Sequence, residues 1–134
     1  HSVGVGPQYA SALGKNANCQ TLVSLTLASG EVQVMVGLRL FLPESWTCDP
    51  DRLDRVGVPE DHRAYRTKPE IALAEIDWVR AAGVRFGCVL ADAGYGLSAP
   101  FRQARPYATS SLTLVSGLTP AASQALRAWV RPTP

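Results

Sequence analysis

The stretch Val89-Leu-Ala-Asp92-Ala-Gly-Tyr-Gly96 decides the fold that the sequence predicts. The apolar run over 86–91 is typical of a buried strand, and this strand ends on the carboxylate of Asp92, which two glycines follow. An acid in that position lies at the carboxyl edge of a sheet, where open α/β sheets bind ligands and metals. Capping of the next helix or closure of a turn explains the same pattern, and these residues alone leave both interpretations open.

The composition is that of one globular domain of 134 residues, with 46% hydrophobic residues and a net charge of +2. This net charge is too small to indicate a nucleic-acid partner by itself. The charges are unevenly distributed, because residues 1–92 carry all 11 acids whereas residues 93–134 carry four arginines and no acid. A last third without acids is unusual for a folded catalytic domain.

Cysteine usage and hydropathy favour a cytoplasmic protein without a membrane partner. Cys19, Cys48 and Cys88 are widely spaced and form no Cys-x-x-Cys pair, so the sequence does not indicate a zinc site. No apolar run is long enough to span a membrane, and no secretory signal opens the chain. The chain begins at His1 in the middle of a pattern, so we expect it to be a piece of a longer protein.

A long hairpin is the clearest pattern before the central strand. Polar and apolar residues alternate over 19–28, Ser29-Gly30 turns the chain, and a second alternating strand runs over 32–42. The pattern predicts an antiparallel hairpin with one apolar face. Residues 1–16 are rich in glycine and are interpreted as extended chain and turns.

Two helices are predicted between the hairpin and the central strand. An N-cap followed by proline predicts a short helix over about 50–56, which Trp46 and Leu53 are expected to pin to the body of the domain. Thr67-Lys-Pro-Glu70 is a capping box and predicts a helix that runs to Ala82. Strand, helix and strand therefore follow each other as in a crossover connection.

The last third of the chain has weaker signals. A helix is predicted over about 98–105, because Pro106 stops it, and residues 112–115 are predicted to form a strand. Thr119-Pro120 is typical of a helix start, and that helix would run to Trp129 or Val130.

Six segments, in this order, resemble bacterial insertion-sequence transposases of the DDE superfamily. The resemblance covers residues 1 to about 102, and its specificity comes from the number and order of the segments. They are His1-Ser-Val-Gly-Val, Asn18-Cys-Gln20, Leu38-Arg-Leu-Phe-Leu-Pro-Glu-Ser-Trp46, Gly57-Val-Pro-Glu60, Thr67-Lys-Pro-Glu-Ile-Ala-Leu73 and Val89-Leu-Ala-Asp-Ala-Gly-Tyr-Gly96.

The resemblance implies an α/β fold with an RNase H-like mixed sheet. The antiparallel hairpin would pair with the parallel strand 86–91, helices would flank the sheet, and the fold would be incomplete. Residues 1–102 are then a partial transposase catalytic core, and residues 103–134 are a diverged or frameshifted tail rich in Ala, Arg, Ser, Pro and Thr.

The same resemblance implies DNA cleavage and strand transfer that depend on two divalent ions, Mg²⁺ or Mn²⁺, held between three carboxylates. Asp92 matches the second family carboxylate and is the expected catalytic residue and metal ligand. The first carboxylate is expected upstream of His1 and the third downstream, yet no acid follows Asp92. The isolated chain is therefore expected to be inactive.

Contacts with DNA phosphates are considered for five cations, although for each of them singly a solvated surface charge is the favoured interpretation. They are Lys15, Arg39, Arg66, Lys68 and Arg102. Tyr95, beside the predicted site, either stacks on a base or sugar or packs in the core. His62, beside Asp61, is interpreted as part of a solvated turn.

Two alternative functions stay open at this point. The first is a non-enzymatic remnant that folds or binds DNA or another partner, which the missing acids favour. The second is an S-adenosylmethionine-binding methyltransferase-like domain, since its glycine-rich first motif superficially resembles Asp92-Ala-Gly-Tyr-Gly96. That class needs an acid at the end of the next strand, and Ser116-Gly117 follows residues 112–115 instead. The resemblance also implies that a strand upstream of this chain extends the sheet. Without that strand, an exposed edge beside the apolar hairpin is expected to promote homo-oligomers.

Overall fold

The architecture is known from a computed structural model, which describes residues 2–10, 13–29, 31–86, 88–103, 111–115 and 125–129. These residues form a mixed α/β domain, as the sequence predicts, with two antiparallel hairpins and four α-helices in the described part. None of the helices described there is both long and apolar enough to cross a membrane.

A small hairpin opens the described chain. Strand β1 (Gly6–Ala10) pairs antiparallel with β2 (Lys15–Cys19), so that Gly6 lies opposite Cys19. The Gln8 amide fixes this hairpin to the next strand, because its Nε2 donates to the Cys19 carbonyl at 3.0 Å and its Oε1 accepts from the Thr21 hydroxyl at 2.8 Å. Periodicity missed these strands, since backbone pairing and one amide side chain hold them instead of an apolar face.

The long hairpin has the predicted position and direction. Strand β3 (Thr21–Ser29) pairs antiparallel with β4 (Val32–Phe41), and the register shifts between Leu25 and Thr26. Val23 and Leu25 of β3 are completely buried. The apolar face predicted from alternation therefore lies in the core for β3. For β4 the prediction was wrong in part, because Val32, Val34 and Leu38 are exposed.

The polar connection after the hairpin folds into α1 (Glu44–Thr47) and α2 (Pro50–Arg55), followed by a 3₁₀ turn at Glu60–His62. Helix α1 was not predicted, whereas α2 was. Trp46 and Leu53 are both buried, as expected, and the indole Nε1 of Trp46 donates to the Val5 carbonyl at 2.8 Å. This hydrogen bond fixes the connection to the chain segment before β1.

Helix α3 (Lys68–Ala81) begins at the predicted capping box and packs on the sheet. Its buried face, which includes Ile76 and Val79, joins Val23 of β3 and Val89 of the central strand in the main hydrophobic core. Helix α3 therefore covers one face of the sheet and connects the hairpin to the central strand.

Strand β5 (Cys88–Asp92) is the predicted central strand. A 3₁₀ turn at Ala93–Leu97 and helix α4 (Ala99–Gln103) follow it. Strand β6 (Ser111–Val115) pairs with β5 in the parallel direction, which agrees with the strand predicted over 112–115.

The last described element, β7 (Ala125–Trp129), corrects the sequence prediction. A helix was expected up to Trp129, but these five residues form a strand between β3 and β5, parallel to β3 and antiparallel to β5. Pairing on both sides outweighs the helix propensity of alanine and leucine. The remainder of the predicted helix, 119–124 and Val130, lies outside the described residues.

The position of β7 also changes the expected strand order, which is β4-β3-β7-β5-β6. The hairpin and β5 belong to one sheet, as predicted, but they are not neighbours, because β7 separates them. The edge of β3 that faces β5 is consequently paired with β7. Within the described part of the sheet, the unpaired edge of the hairpin is β4.

Candidate metal and DNA site

Asp92 is the last residue of β5, and the backbone register places it opposite Val115, the last residue of β6. Since β5 and β6 run parallel, both strands end at the same edge of the sheet. Carboxyl edges of parallel strands are where α/β sheets place functional residues. A carboxylate here offers the oxygen ligand that Mg²⁺ and Mn²⁺ prefer in proteins.

The turn after Asp92 is held by the core. Tyr95 is only 3% exposed, and its ring lies 5.3 Å from the ring of Phe101 on α4, centroid to centroid. Of the two roles left open for Tyr95, packing is therefore the one that the structure supports. This packing anchors the turn that leaves β5 in the core.

A complete metal-binding cluster does not appear in the described part of the chain. No group of three or more His, Cys, Asp or Glu side chains lies there in a position to hold a metal ion. Asp92 is an acid at the carboxyl end of a strand, and its role as a metal ligand stays a prediction.

Arg39 lies in β4 and forms an ion pair across to α3. Its Nε is 3.1 Å from Oε1 of Glu75, and the two side chains are 30% and 10% exposed. Glu75 reaches this position because Gly37 has no side chain: a Cβ at residue 37 would lie 2.7 Å from Glu75 Oε2. The charge of Arg39 is therefore largely compensated within the protein.

Lys68, the first residue of α3, lies against Phe41, the last residue of β4. Its Nζ is 4.9 Å from the centre of the Phe41 ring, two residues along β4 from Arg39. Burial lowers the pKa of Lys68 below its usual value of 10.5, and the nearby Cys19 thiol opposes this shift. The ammonium group is thus half-buried on an aromatic ring.

Arg66 is exposed just before α3 and lines a cavity of about 600 Å³ together with Arg39. We call this cavity the β4–α3 groove, because its walls are β4 (Val36–Leu40), α3 (Glu75, Trp78) and the segment around His62. Trp78 is 62% exposed at this groove. Neither Trp78 nor His62 was predicted to share a surface with Arg39, because residues far apart in sequence line the groove.

The structure thus brings three of the five predicted DNA-contacting cations to one region. Arg39, Arg66 and Lys68 lie where the end of β4 meets the start of α3. Lys15 is exposed at the start of β2, and Arg102 is exposed on α4. These last two cations lie on other elements, so the five residues do not form one continuous patch by the contacts described.

The fold and the position of Asp92 define a mixed α/β domain with an acid at a strand end. The family model of the DDE superfamily endonucleases matches residues 1–134. The chain therefore belongs to this family of endonucleases. Neither a curated protein nor a solved structure matches it.

Membership of this family implies a DNA substrate and a divalent metal ion. The match includes residues 103–134 and with them β6 and β7. Both the strand that ends at Asp92 and its parallel neighbour β6 therefore lie within the family domain.

Proposed function

We propose that this chain is part of a DNA transposase core, in which Asp92 is one of the carboxylates that hold two divalent ions. The observation that carries the proposal is the position of Asp92 at the shared carboxyl edge of β5 and β6, inside a DDE superfamily endonuclease domain. We also propose that the sheet has the RNase H-like arrangement that the resemblance to transposases implies. When bound, Mg²⁺ or Mn²⁺ would activate the attacking hydroxyl and stabilise the leaving oxygen.

The contribution of this chain is to position Asp92 and to exclude movement around it. Pairing with β6 fixes the backbone of residue 92, and the packing of Tyr95 on Phe101 fixes the turn that follows. A rigid support of this kind is needed because a carboxylate displaced by about 1 Å loses much of its effect on catalysis. Strand transfer to a second DNA duplex is the finer activity that we propose for the whole enzyme.

We further propose that DNA contacts come chiefly from Arg66 and Lys68, with Lys15 and Arg102 as outer contacts. Arg66 is exposed, whereas the Glu75 carboxylate already binds Arg39. A cation whose charge is compensated inside the protein releases fewer counterions from DNA and adds less affinity. Arg39 would accordingly act on DNA binding mainly by holding β4 to α3.

We also propose that residues 1–134 bind DNA without cleaving it. One strand-end carboxylate seldom holds Mg²⁺ without partners, and no acid follows Asp92 in the sequence. The lack of partner carboxylates therefore favours a non-enzymatic, DNA-binding role for the chain by itself. The methyltransferase-like alternative receives no comparable support.

Thermal melting with added ligands, together with a nicking assay, tests this proposal. We expect DNA with Mn²⁺ to raise the melting temperature of residues 1–134, S-adenosylmethionine to leave it unchanged, and supercoiled DNA to stay intact. Stabilisation by S-adenosylmethionine alone would contradict the assignment. Metal-dependent nicking that survives Asp92→Asn would contradict the role of Asp92.

A further inference from the structure

The ion pair between Arg39 and Glu75 is part of the wall of the β4–α3 groove. Both side chains line the groove, and that of Glu75 is nine-tenths buried. The contact joins Nε to Oε1, and no other described residue forms a hydrogen bond or an ion pair with either side chain. A guanidinium has more N–H donors, and a carboxylate more acceptor lone pairs, than one such contact uses. The pair therefore keeps a donor and an acceptor side by side for a ligand in the groove.

The charges that line the groove balance each other. Among the described lining residues, Arg66 and Asp61 accompany the ion pair, so that two basic and two acidic side chains face one cavity. His62 also lines it, with Nε2 at 3.6 Å from Oδ2 of Asp61. With His62 neutral, these charges sum to zero. A groove without net charge does not select an anion, so its features favour a neutral ligand with a polar edge over a phosphate.

Trp78 adds a flat aromatic surface to the same groove. The side chain is 62% exposed, although tryptophan is highly buried on average. Trp78 follows Glu75 by three residues on α3, so the two side chains lie on the same side of the helix. An exposed indole is a stacking surface for nucleobases, because every base has a π-face.

We propose that the β4–α3 groove binds one unpaired nucleobase, which stacks on Trp78 and places its hydrogen-bonding edge on the Arg39–Glu75 pair. The pairing edge of each base carries an acceptor beside a donor, which matches the donor of Arg39 and the acceptor of Glu75. The cavity of about 600 Å³ has the size of a small-ligand site. The inference rests on the proposed function for the source of the base, because DNA held at Arg66 would supply it. A free nucleoside offers the same chemistry.

Two DNA duplexes that differ only in one unpaired base test the proposal. We expect fluorescence anisotropy to show that residues 1–134 bind the duplex with the unpaired base about tenfold more tightly than the fully paired duplex. Trp78→Ala should remove this preference and leave the affinity for the fully paired duplex unchanged. Tyr9→Ala is the matched control, because Tyr9 is 65% exposed on β1 and does not line the groove. It should keep the preference.

Free deoxynucleosides, added without DNA, distinguish the source of the base. We expect them to shift the indole N–H resonance of Trp78 in NMR spectra, which is identified by its loss in Trp78→Ala, and to leave that of the buried Trp46 in place. A shift without any preference between the duplexes would assign the groove to free nucleosides instead of DNA. If neither duplex binds, the proposed DNA contacts fail, and the nucleoside shift still decides whether the groove binds a base. No shift together with equal affinity for both duplexes, or a preference that survives Trp78→Ala, would overturn the proposal.

Discussion

The ion pair between Arg39 and Glu75, with 3.1 Å between Nε and Oε1, connects the edge strand β4 to the helix that covers the sheet. The two partners are unequally buried, since the Glu75 side chain is 10% exposed and that of Arg39 is 30% exposed. The cost of removing one partner is set by the burial of the charge that stays behind. Removing Arg39 and removing Glu75 should therefore lower the free energy of unfolding by different amounts, and mutagenesis can measure this difference.

We expect Arg39→Met to destabilise the fold more than Glu75→Gln. The first variant leaves a buried carboxylate unpaired and should cost about 2–4 kcal/mol of unfolding free energy. The second leaves a more exposed guanidinium opposite a neutral amide that still accepts a hydrogen bond, and it should cost about 1 kcal/mol. Urea unfolding of both variants measures the difference. Equal losses, or the reverse order, would mean that the pair is a surface contact.

Gly37→Ala should destabilise the fold because the added Cβ meets both Glu75 and Leu25. The new Cβ would lie 2.7 Å from Glu75 Oε2 and 3.3 Å from the Leu25 Cβ, so the carboxylate has to move away from Arg39. We expect a loss of about 1–3 kcal/mol, which is typical of overpacking. The part of the loss that comes from the Glu75 carboxylate should disappear when Gly37→Ala is combined with Glu75→Ala, whereas the part from the Leu25 contact should stay. Additive losses in this double-mutant cycle would exclude a direct contact.

The capping box of α3 should make part of the stability depend on pH. The Thr67 hydroxyl and then the Thr67 backbone N–H hydrogen-bond the Glu70 carboxylate and lower its pKa below 4.5. A depressed pKa in the folded state adds stability that is present above the unfolded pKa and is lost as pH falls through the folded pKa. Glu70→Gln should thus melt at a lower temperature than the unmodified protein at pH 7.

At pH values below the folded pKa of Glu70, the two melting temperatures should converge. Thr67→Ala is the matched variant on the other side of the box, and it should cost about 1 kcal/mol. If the difference in melting temperature between Glu70→Gln and the unmodified protein stays constant from neutral to acid pH, the Glu70 carboxylate does not contribute to stability through its charge.

DNA binding should depend on Arg66 more than on Arg85. Arg66→Ala is expected to weaken binding uniformly across sequences and to reduce the slope of log affinity against log salt by about 1, with no loss of stability. Arg85→Ala serves as the control, because Arg85 is also exposed but lies after α3. Equal effects of the two variants would indicate that binding has no preferred surface. Fluorescence anisotropy at several salt concentrations makes the comparison.

The sequence was sufficient to predict the elements that local signals control. Alternation located the long hairpin, the Thr67 capping box located α3, and the apolar run located β5. The small hairpin was not predicted, because its strands include Lys15 and Asn16 and have no apolar face. Strand β7 was not predicted, because Ala125–Trp129 has the composition of a helix. Its conformation is decided by pairing with its two neighbouring strands.

The candidate site was predictable in part for the same reason. Asp92 follows from a local pattern, and the structure places it at the end of β5 as expected. The pairing of Arg39 with Glu75, the burial of Tyr95 and the exposure of Trp78 on the β4–α3 groove depend on contacts between distant segments. Periodicity describes one element at a time and does not report such contacts.

Whether Asp92 is a metal-binding carboxylate can be decided by one paired measurement. It uses a protein in which residues 1–134 are joined to an intact upstream strand and downstream region of the family, and it compares Mn²⁺-dependent nicking and thermal melting with and without Asp92→Asn. Asparagine keeps the size and one acceptor oxygen but removes the charge that holds the cations. We predict that the joined protein nicks DNA and that Asp92→Asn lowers the rate at least about 100-fold without lowering the melting temperature. Normal nicking by Asp92→Asn, with the fold intact, would show that Asp92 is only a turn residue and would contradict its role as a metal ligand.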